Sequence, residues 1–252
     1  MTKKLHIKKT YKLYIDGKFC RTESGRYMQW ISPKNNQTIN FCRASRKDFR
    51  NAVQVSRSAF NKWNSFSGYN RGQILYRIAE MLDSRKEQFI SELILQGKSK
   101  KSSKEEVEMS IDRLVYYAGW SDKYQQIFSR VNPVATPYYN FSYPEPTGVV
   151  SIISPKDSHL LGFISVIAPA IVGGNTVVVL APEDNPLCAI SFSEVLHSSD
   201  VPSGVINILS GLSNELIDHF SSHMDVNAII NCGVDSKDAE LIVKNSSLNV
   251  KR

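Results

Sequence analysis

No stretch of this 252-residue sequence reaches the roughly 20 consecutive apolar residues needed to span a bilayer. The longest candidate, Leu160 to Val172, is too short and is interrupted by Pro169. The basic opening, MTKKLHIKKTYKLYIDG, has no apolar run of its own, so no secretory leader is expected and the cytoplasm is the default compartment. Cysteine is scarce. Cys20, Cys42, Cys188 and Cys232 stand far apart without CxxC spacing, which suggests neither a zinc site nor a disulfide framework. The glycine loops that cradle phosphate are also missing, since neither GxGxxG nor GxxxxGK followed by Ser or Thr occurs. No RNP, helix-turn-helix or zinc-finger pattern accompanies the basic residues.

What is present is ordinary globular composition, 42% hydrophobic and 22% charged, which excludes a disordered tail, a collagen or a coiled rod. Lys and Arg number 31 against 24 Asp and Glu, a formal charge of +7. The excess is gathered in the first ten residues and in Lys98-Ser99-Lys100-Lys101-Ser102-Ser103-Lys104. Runs of this kind read as solvated termini or loops, so nucleic acid is only a weak alternative partner and no membrane association is expected.

The first half of the chain reads as strands followed by helices. Leu13-Tyr14-Ile15 and Lys18-Phe19-Cys20 flank Asp16-Gly17, which predicts a hairpin closed by a type I′ turn. Thr38 to Cys42 is a further extended piece. Ser45 and Asp48 form a capping box for a helix carrying Phe49, Val53, Ala59 and Phe60. One helical face is read from Ile74, Ile78, Leu82, Phe89 and Leu93, stopped at Gly97. A second box, Ser102 with Glu105, opens a helix whose buried stripe is Val107, Ile111, Leu114, Val115 and Ala118. Tyr116, Tyr117, Trp120 and Tyr124 on that helix read as core or interface packing.

Beyond the proline-rich stretch from Pro133 to Pro146 the period changes. Val149–Ile153, Thr176–Leu180, Val205–Leu209 and Ala228–Ile230 are short β-branched runs separated by helical segments, the alternation of βαβ units in a buried parallel sheet. Ligands of such a sheet bind at the carboxyl ends of its strands, here 154–159, 181–185, 210–214 and 231–235. Asp157 with His159 is a candidate acid–base pair, though solvated loop residues are the simpler reading. His219 and His223 have the i,i+4 spacing of metal ligands but no third ligand in register, so no metal is expected. No cysteine is flanked by a pattern that would lower its pKa, and no catalytic residue is assigned.

Several ordered phrases resemble the aldehyde dehydrogenase superfamily from about residue 12 to about 238. They are Tyr14-Ile15-Asp16-Gly17-Lys18, Arg113-Leu114-Val115-Tyr116-Tyr117-Ala118-Gly119-Trp120, Glu145-Pro146-Thr147-Gly148-Val149-Val150, Ile167-Ala168-Pro169-Ala170, Gly174-Asn175-Thr176-Val177-Val178, Asp200-Val201-Pro202-Ser203-Gly204-Val205-Ile206-Asn207 and His223-Met224-Asp225-Val226. The resemblance implies an α/β fold, a Rossmann-like doubly wound parallel sheet preceded by an N-terminal hairpin and long helices. It also implies truncation before the catalytic domain. The expected layout is one incomplete cofactor domain over 1–252, with N-terminal strands in 1–45, a helical layer over 46–130 and βαβ units over 146–245.

The family's nucleophilic cysteine and general-base glutamate map onto no residue here. NAD or NADP is implied by resemblance only, with Ser154, Asp157, Glu183, Gly211 and Gly233 at the positions that would meet it. Several of those positions have drifted. Where the family reads Pro-Trp-Asn-Phe-Pro, this chain has Pro155-Lys156-Asp157-Ser158-His159, and a carboxylate there would repel an oxyanion. The lysine that bonds the adenosine ribose falls on Leu180, the neighbouring glutamate is kept as Glu183, and a glycine that makes room for adenine falls on Ile217. The turn Gly233-Val234-Asp235-Ser236-Lys237-Asp238 keeps only its first glycine and brings two carboxylates near a pyrophosphate site.

The pattern is most similar to the cysteine-less second unit of two-unit aldehyde dehydrogenases. The expectation is therefore a pseudoenzyme that associates with another aldehyde dehydrogenase-like chain or with itself. The alternatives are the cofactor-binding half of a split enzyme oxidising aldehydes to acids, and a decayed product.

Overall fold

A computed structural model describes residues 9–252. Short strands come first: β1 (Thr10–Tyr11), β2 (Leu13–Ile15), β3 (Lys18–Cys20), β4 (Tyr27–Ile31) and β5 (Thr38–Cys42). A helical stretch follows, with α1 (Arg46–Asn64), α2 (Gly68–Ser84), α3 (Lys86–Leu95), α4 (Lys100–Trp120) and the short α5 (Tyr124–Phe128). Strands β6 (Arg130–Val131) and β7 (Phe141–Ser142) pair as an antiparallel ribbon. Strand and helix then alternate through β8 (Val149–Ile153), α6 (Leu161–Val172), β9 (Thr176–Leu180), α7 (Leu187–His197), β10 (Ile206–Leu209), α8 (Ser213–Ser222), β11 (Ala228–Asn231) and α9 (Ser236–Leu248).

The four β-branched runs form the parallel sheet that their composition predicts. β8, β9 and β10 are buried throughout, because helices cover both of their faces. The order is β11-β8-β9-β10-β2-β3, so the direction of winding reverses between β8 and β11. One feature of this sheet departs from the sequence reading. The predicted hairpin is present, with Asp16 at φ 55° and Gly17 at φ 71° as a type I′ turn requires. It does not stand apart from the βαβ region, however: β2 pairs antiparallel with β10, extending the sheet to six strands. At the opposite margin β11 has a backbone partner beyond β8. Arg252 donates its N–H to the Asn227 carbonyl at 3.1 Å and accepts from the Ile229 N–H at 2.9 Å. β1, β5 and β4 make a separate three-stranded sheet.

The helical layer packs α2 and α4 against α6, and its core holds Leu75, Ile78, Leu82, Leu93, Val107, Leu114, Phe163 and Ile167. Helix α1 begins with the predicted reciprocal box between Ser45 and Asp48. The stripe read as one helix from Ile74 to Leu93 is two, broken at Arg85. Helix α4 starts earlier than predicted, because Ser99 rather than Ser102 accepts the capping bond, from the Ser102 N–H at 3.1 Å. Its buried face is Ser103, Glu106, Val107, Ser110 and Leu114, while Val115 is exposed. The basic run opens this helix, and Lys101 and Lys104 each lie one turn from a carboxylate, Glu105 and Glu108, at 3.9 and 4.0 Å.

Candidate functional site

The carboxyl ends of β8, β9, β10 and β11 each lead into a helix, and the first turn of a helix offers N–H groups and a positive dipole end to an anion. In this chain one or two of those groups at each helix are taken by its own side chains. Glu106, buried in α4, accepts from the Leu160 N–H at 2.9 Å and the Leu161 N–H at 3.2 Å, which closes the start of α6. Gln96 Oε1 accepts from the Leu187 N–H at 3.0 Å at the start of α7. Glu183 Oε2 accepts from both the N–H and the hydroxyl of Ser213 at 2.9 Å, capping α8. Asp235 accepts from the Asp238 N–H at 3.1 Å, capping α9, and Asp238 adds a second carboxylate to the same turn.

The electrostatics of the first cap are set by Lys98, which pairs with Glu106 Oε2. Burial pushes the Glu106 carboxyl up, but Lys98 and the two backbone donors outweigh it and hold the group below the usual carboxylate range. Burial, together with the same lysine, pushes the neighbouring His159 imidazole down, which favours its neutral form. Its Nδ1 lies 3.5 Å from Gln96 Nε2, and the ring is buried. Asp157 is exposed in the same loop.

Of the positions singled out from sequence, Ser154 and Gly233 meet at the reversal of winding. Ser154 is buried with its hydroxyl donating to the Leu180 carbonyl at 2.6 Å. A Cβ on Gly233 would come within 2.2 Å of the Ser154 carbonyl oxygen, so only glycine allows this approach. Asn231 Oδ1 accepts from the Gly233 and Val234 N–H groups at 3.4 and 3.3 Å. Gly211 packs its backbone against Leu216 and Ala44. Glu183 lies next to this turn through Ser213, whereas Asp157 belongs to the β8–α6 loop and is solvated.

Ile217 is 1% exposed and shares a cluster with Leu180, Phe220 and Ile242, which fills the space between α8 and α9. Asn245 of α9 donates to Asp218 Oδ1 and Ser221 Oγ at 3.0 and 2.9 Å, fastening the two helices together. His223 is the residue that ends α8, and no group of three or more His, Cys, Asp or Glu suited to a metal ion exists among the described residues. The four cysteines are free, and burial pushes the thiols of Cys20, Cys188 and Cys232 up, away from the thiolate form.

Glu106 and Gln96 are the site residues that sequence reasoning missed. The signal for Glu106 was the interleaving of Ser103, Glu106 and Ser110 with Val107 and Leu114 at helical spacing, a face too polar to bury without partners, whereas nothing in the sequence marked Gln96.

Comparison with known proteins agrees with this fold. The model of the aldehyde dehydrogenase family matches residues 19–252. The D-glyceraldehyde dehydrogenase (NADP(+)) of Thermoplasma acidophilum is 31% identical over 244 residues, covering 96% of this chain and 49% of its own length. Among solved structures, PnpE in complex with nicotinamide adenine dinucleotide superimposes with a TM-score of 0.90 at 27% identity, over 96% of this chain and 50% of that one. The NAD+ complex of aldehyde dehydrogenase from Bacillus cereus gives a TM-score of 0.91 at 24% identity, a likeness of fold, over 97% of this chain and 50% of that one. The chain thus spans about half the length of the relatives it matches.

Proposed function

Because the chain belongs to the aldehyde dehydrogenase family, we propose that these 252 residues form a cofactor-domain-like body that does not oxidise aldehydes by itself and acts by packing against another chain of the family or a second copy. The observation that carries this reading is the self-capped carboxyl edge. Each of the four helix starts there already has at least one side-chain acceptor of its own, from Glu106, Gln96, Glu183 and Asp235, three of them carboxylates.

The residues present do not fit the dinucleotide that the family implies. Ile217 and the α8–α9 fastening fill the space that the family resemblance gives to adenine. Leu180 stands in place of the ribose-binding lysine and is itself buried. Asp235 and Asp238 oppose a pyrophosphate at the start of α9. Nor do Cys20, Cys188 and Cys232 offer a ready nucleophile, since burial disfavours their thiolates.

The surface suited to association lies elsewhere. The β6–β7 ribbon and its flanks expose Val131, Tyr138, Tyr139, Phe141 and Tyr143, with Tyr139, Phe141 and Tyr143 in a continuous row of ring contacts. Calorimetry with NAD and with NADP at millimolar concentration is expected to give no binding heat, and an NADH assay with short and medium aldehydes no turnover above a heat-killed control. Saturable binding together with turnover would overturn this reading.

A second reading, the cofactor half of a split enzyme, is favoured by the retained Glu183 and Gly233. It predicts dinucleotide binding that emerges only when a cysteine-bearing aldehyde dehydrogenase chain is mixed with this one. Absence of a calorimetric signal from the mixture disposes of it.

A further inference from the structure

Away from the carboxyl edge, at the far end of α7, the surface carries an open cleft of about 490 Å³ between β1, β3, α7 and the break between α2 and α3. Its volume is in the range of small-molecule sites. Tyr11, Phe19 and Ile190 supply its apolar wall, and Phe19 is braced by the Tyr14 and His197 rings at 5.4 and 5.1 Å. Charge on the lining is one-sided. Lys9, Lys12 and Arg85 face a single carboxylate, Glu194.

Glu194 fixes two of those cations without neutralising the third. It pairs with Lys9 through Oε1 and with Arg85 Nη1 through Oε2 at 2.9 Å. Burial pushes the Glu194 carboxyl up, yet these partners prevail and keep it charged. Lys9 is held over the Tyr11 ring, 4.4 Å from its centre. Lys12 has no carboxylate partner among the described residues, and Arg85 gives Glu194 only one of its N–H groups, leaving the rest of a planar donor fork open. An apolar pocket with one unpaired cation and the open N–H groups of a second at its rim complements a molecule with a hydrocarbon body and one anionic head.

We propose that this cleft binds an amphipathic monoanion, an aliphatic or aromatic carboxylate, with its head on Arg85 and Lys12 and its tail against Tyr11, Phe19 and Ile190. The site shares no residue with the carboxyl edge, so it stands whether or not the chain binds a dinucleotide.

Calorimetric titration of the full 252-residue chain with decanoate, 1-decanol and acetate at pH 7 tests it. Decanoate is expected to bind saturably at one equivalent. Decanol, which keeps the tail and loses the charge, is expected to bind at least about tenfold more weakly, the worth of one charge-assisted contact. Acetate, which keeps the head alone, is expected to give no heat.

Lys12→Met removes an exposed cation that holds no other element in place, and should weaken decanoate about tenfold with an unchanged melting temperature. Phe19→Leu should weaken decanoate and decanol alike. The proposal is overturned by non-saturable uptake of decanoate, by equal affinity for decanol, by Lys12→Met binding as the parent does, or by no heat with decanoate up to about 1 millimolar, where a specific site of this kind would register.

Discussion

Glu92 is the residue at which burial acts most directly on charge. It lies in α3 with Oε1 accepting from Gln88 Nε2 at 3.0 Å and from Ser191 Oγ at 2.9 Å, while Oε2 is buried without a partner among the described residues. An anion so placed would be poorly solvated, and burial accordingly pushes the carboxyl up to about 7 from an ordinary value of 4.5. The folded chain keeps this proton to about pH 7, whereas the unfolded chain releases it near 4.5. Stability contributed by the neutral acid is therefore complete below 4.5 and declines as pH rises toward 7, by about 3 kcal/mol in all. Glu92→Gln keeps the shape and has no proton to lose. Its melting temperature relative to the parent is expected to match at pH 4.5, to rise as pH approaches 7 and to level off above it. A difference that stays flat across that range would show that Glu92 is not held neutral in the fold.

Gly233 makes a sharper demand of the same scale. With a Cβ at 2.2 Å from the Ser154 carbonyl oxygen, Gly233→Ala must push the β11–α9 turn off the end of β8. A loss of about 2 kcal/mol or more in urea denaturation is expected, in the range of overpacking in a close-fitted site. Loss below about 0.5 kcal/mol, the level of an ordinary surface substitution, would mean the turn yields freely.

At the scale of elements, the cap on α6 couples the helical layer to the sheet. Glu106 is buried, bonded to Lys98 and to two N–H groups of another element, so its removal leaves a half-buried ammonium and two orphaned donors. Glu106→Ala is expected to cost about 3 kcal/mol or more, and Glu106→Gln less because one acceptor oxygen remains. Hydrogen exchange at the Leu160 and Leu161 amides is the direct check, with protection lost in the alanine variant and partly kept in the glutamine one.

Elements governed by local rules were legible before any coordinates: the Asp16-Gly17 turn, the Ser45–Asp48 box and the β-branched strands carry their reasons within a few residues. Elements decided by distant partners were not. Arg85 breaks the stripe from Ile74 to Leu93 as its guanidinium reaches Glu194 of α7, and α4 turns Glu106 inward because α6 needs an acceptor. The hairpin's docking on β10 was hidden for the same reason. Nothing in Leu13-Tyr14-Ile15 names its neighbour, and the tie is the Asp16 N–H given to Asn207 Oδ1 at 2.9 Å. The candidate positions at the carboxyl edge followed from strand order alone, but the side chains that occupy the helix starts come from α3, α4 and the loops.

Across the whole molecule, apolar surface is unevenly spread. The six-stranded sheet and helices α6 to α8 bury Tyr14, Phe163, Phe192 and Phe220, yet the segment from α5 to β7 exposes Ile127, Phe128, Val131, Tyr138, Tyr139 and Phe141 together, Tyr138 and Tyr139 at 76% and 75%. Scattered single exposures are ordinary on a soluble surface, but a contiguous row of stacked rings on a two-stranded ribbon is a poor arrangement for a solitary chain. If this ribbon is the association surface, introducing charge there must separate the chains without touching the core, since β6 and β7 pair only with each other. Tyr139→Asp with Phe141→Asp is expected to convert a dimer or larger assembly at micromolar concentration to the monomer in analytical ultracentrifugation, with the melting temperature of the monomeric body unchanged. A parent chain that already sediments as a monomer would refute self-association through the ribbon. An assembly that survives the double substitution would place the contact elsewhere than the ribbon, and not through the Asn227 carbonyl and Ile229 N–H of the β11 margin, which Arg252 already occupies.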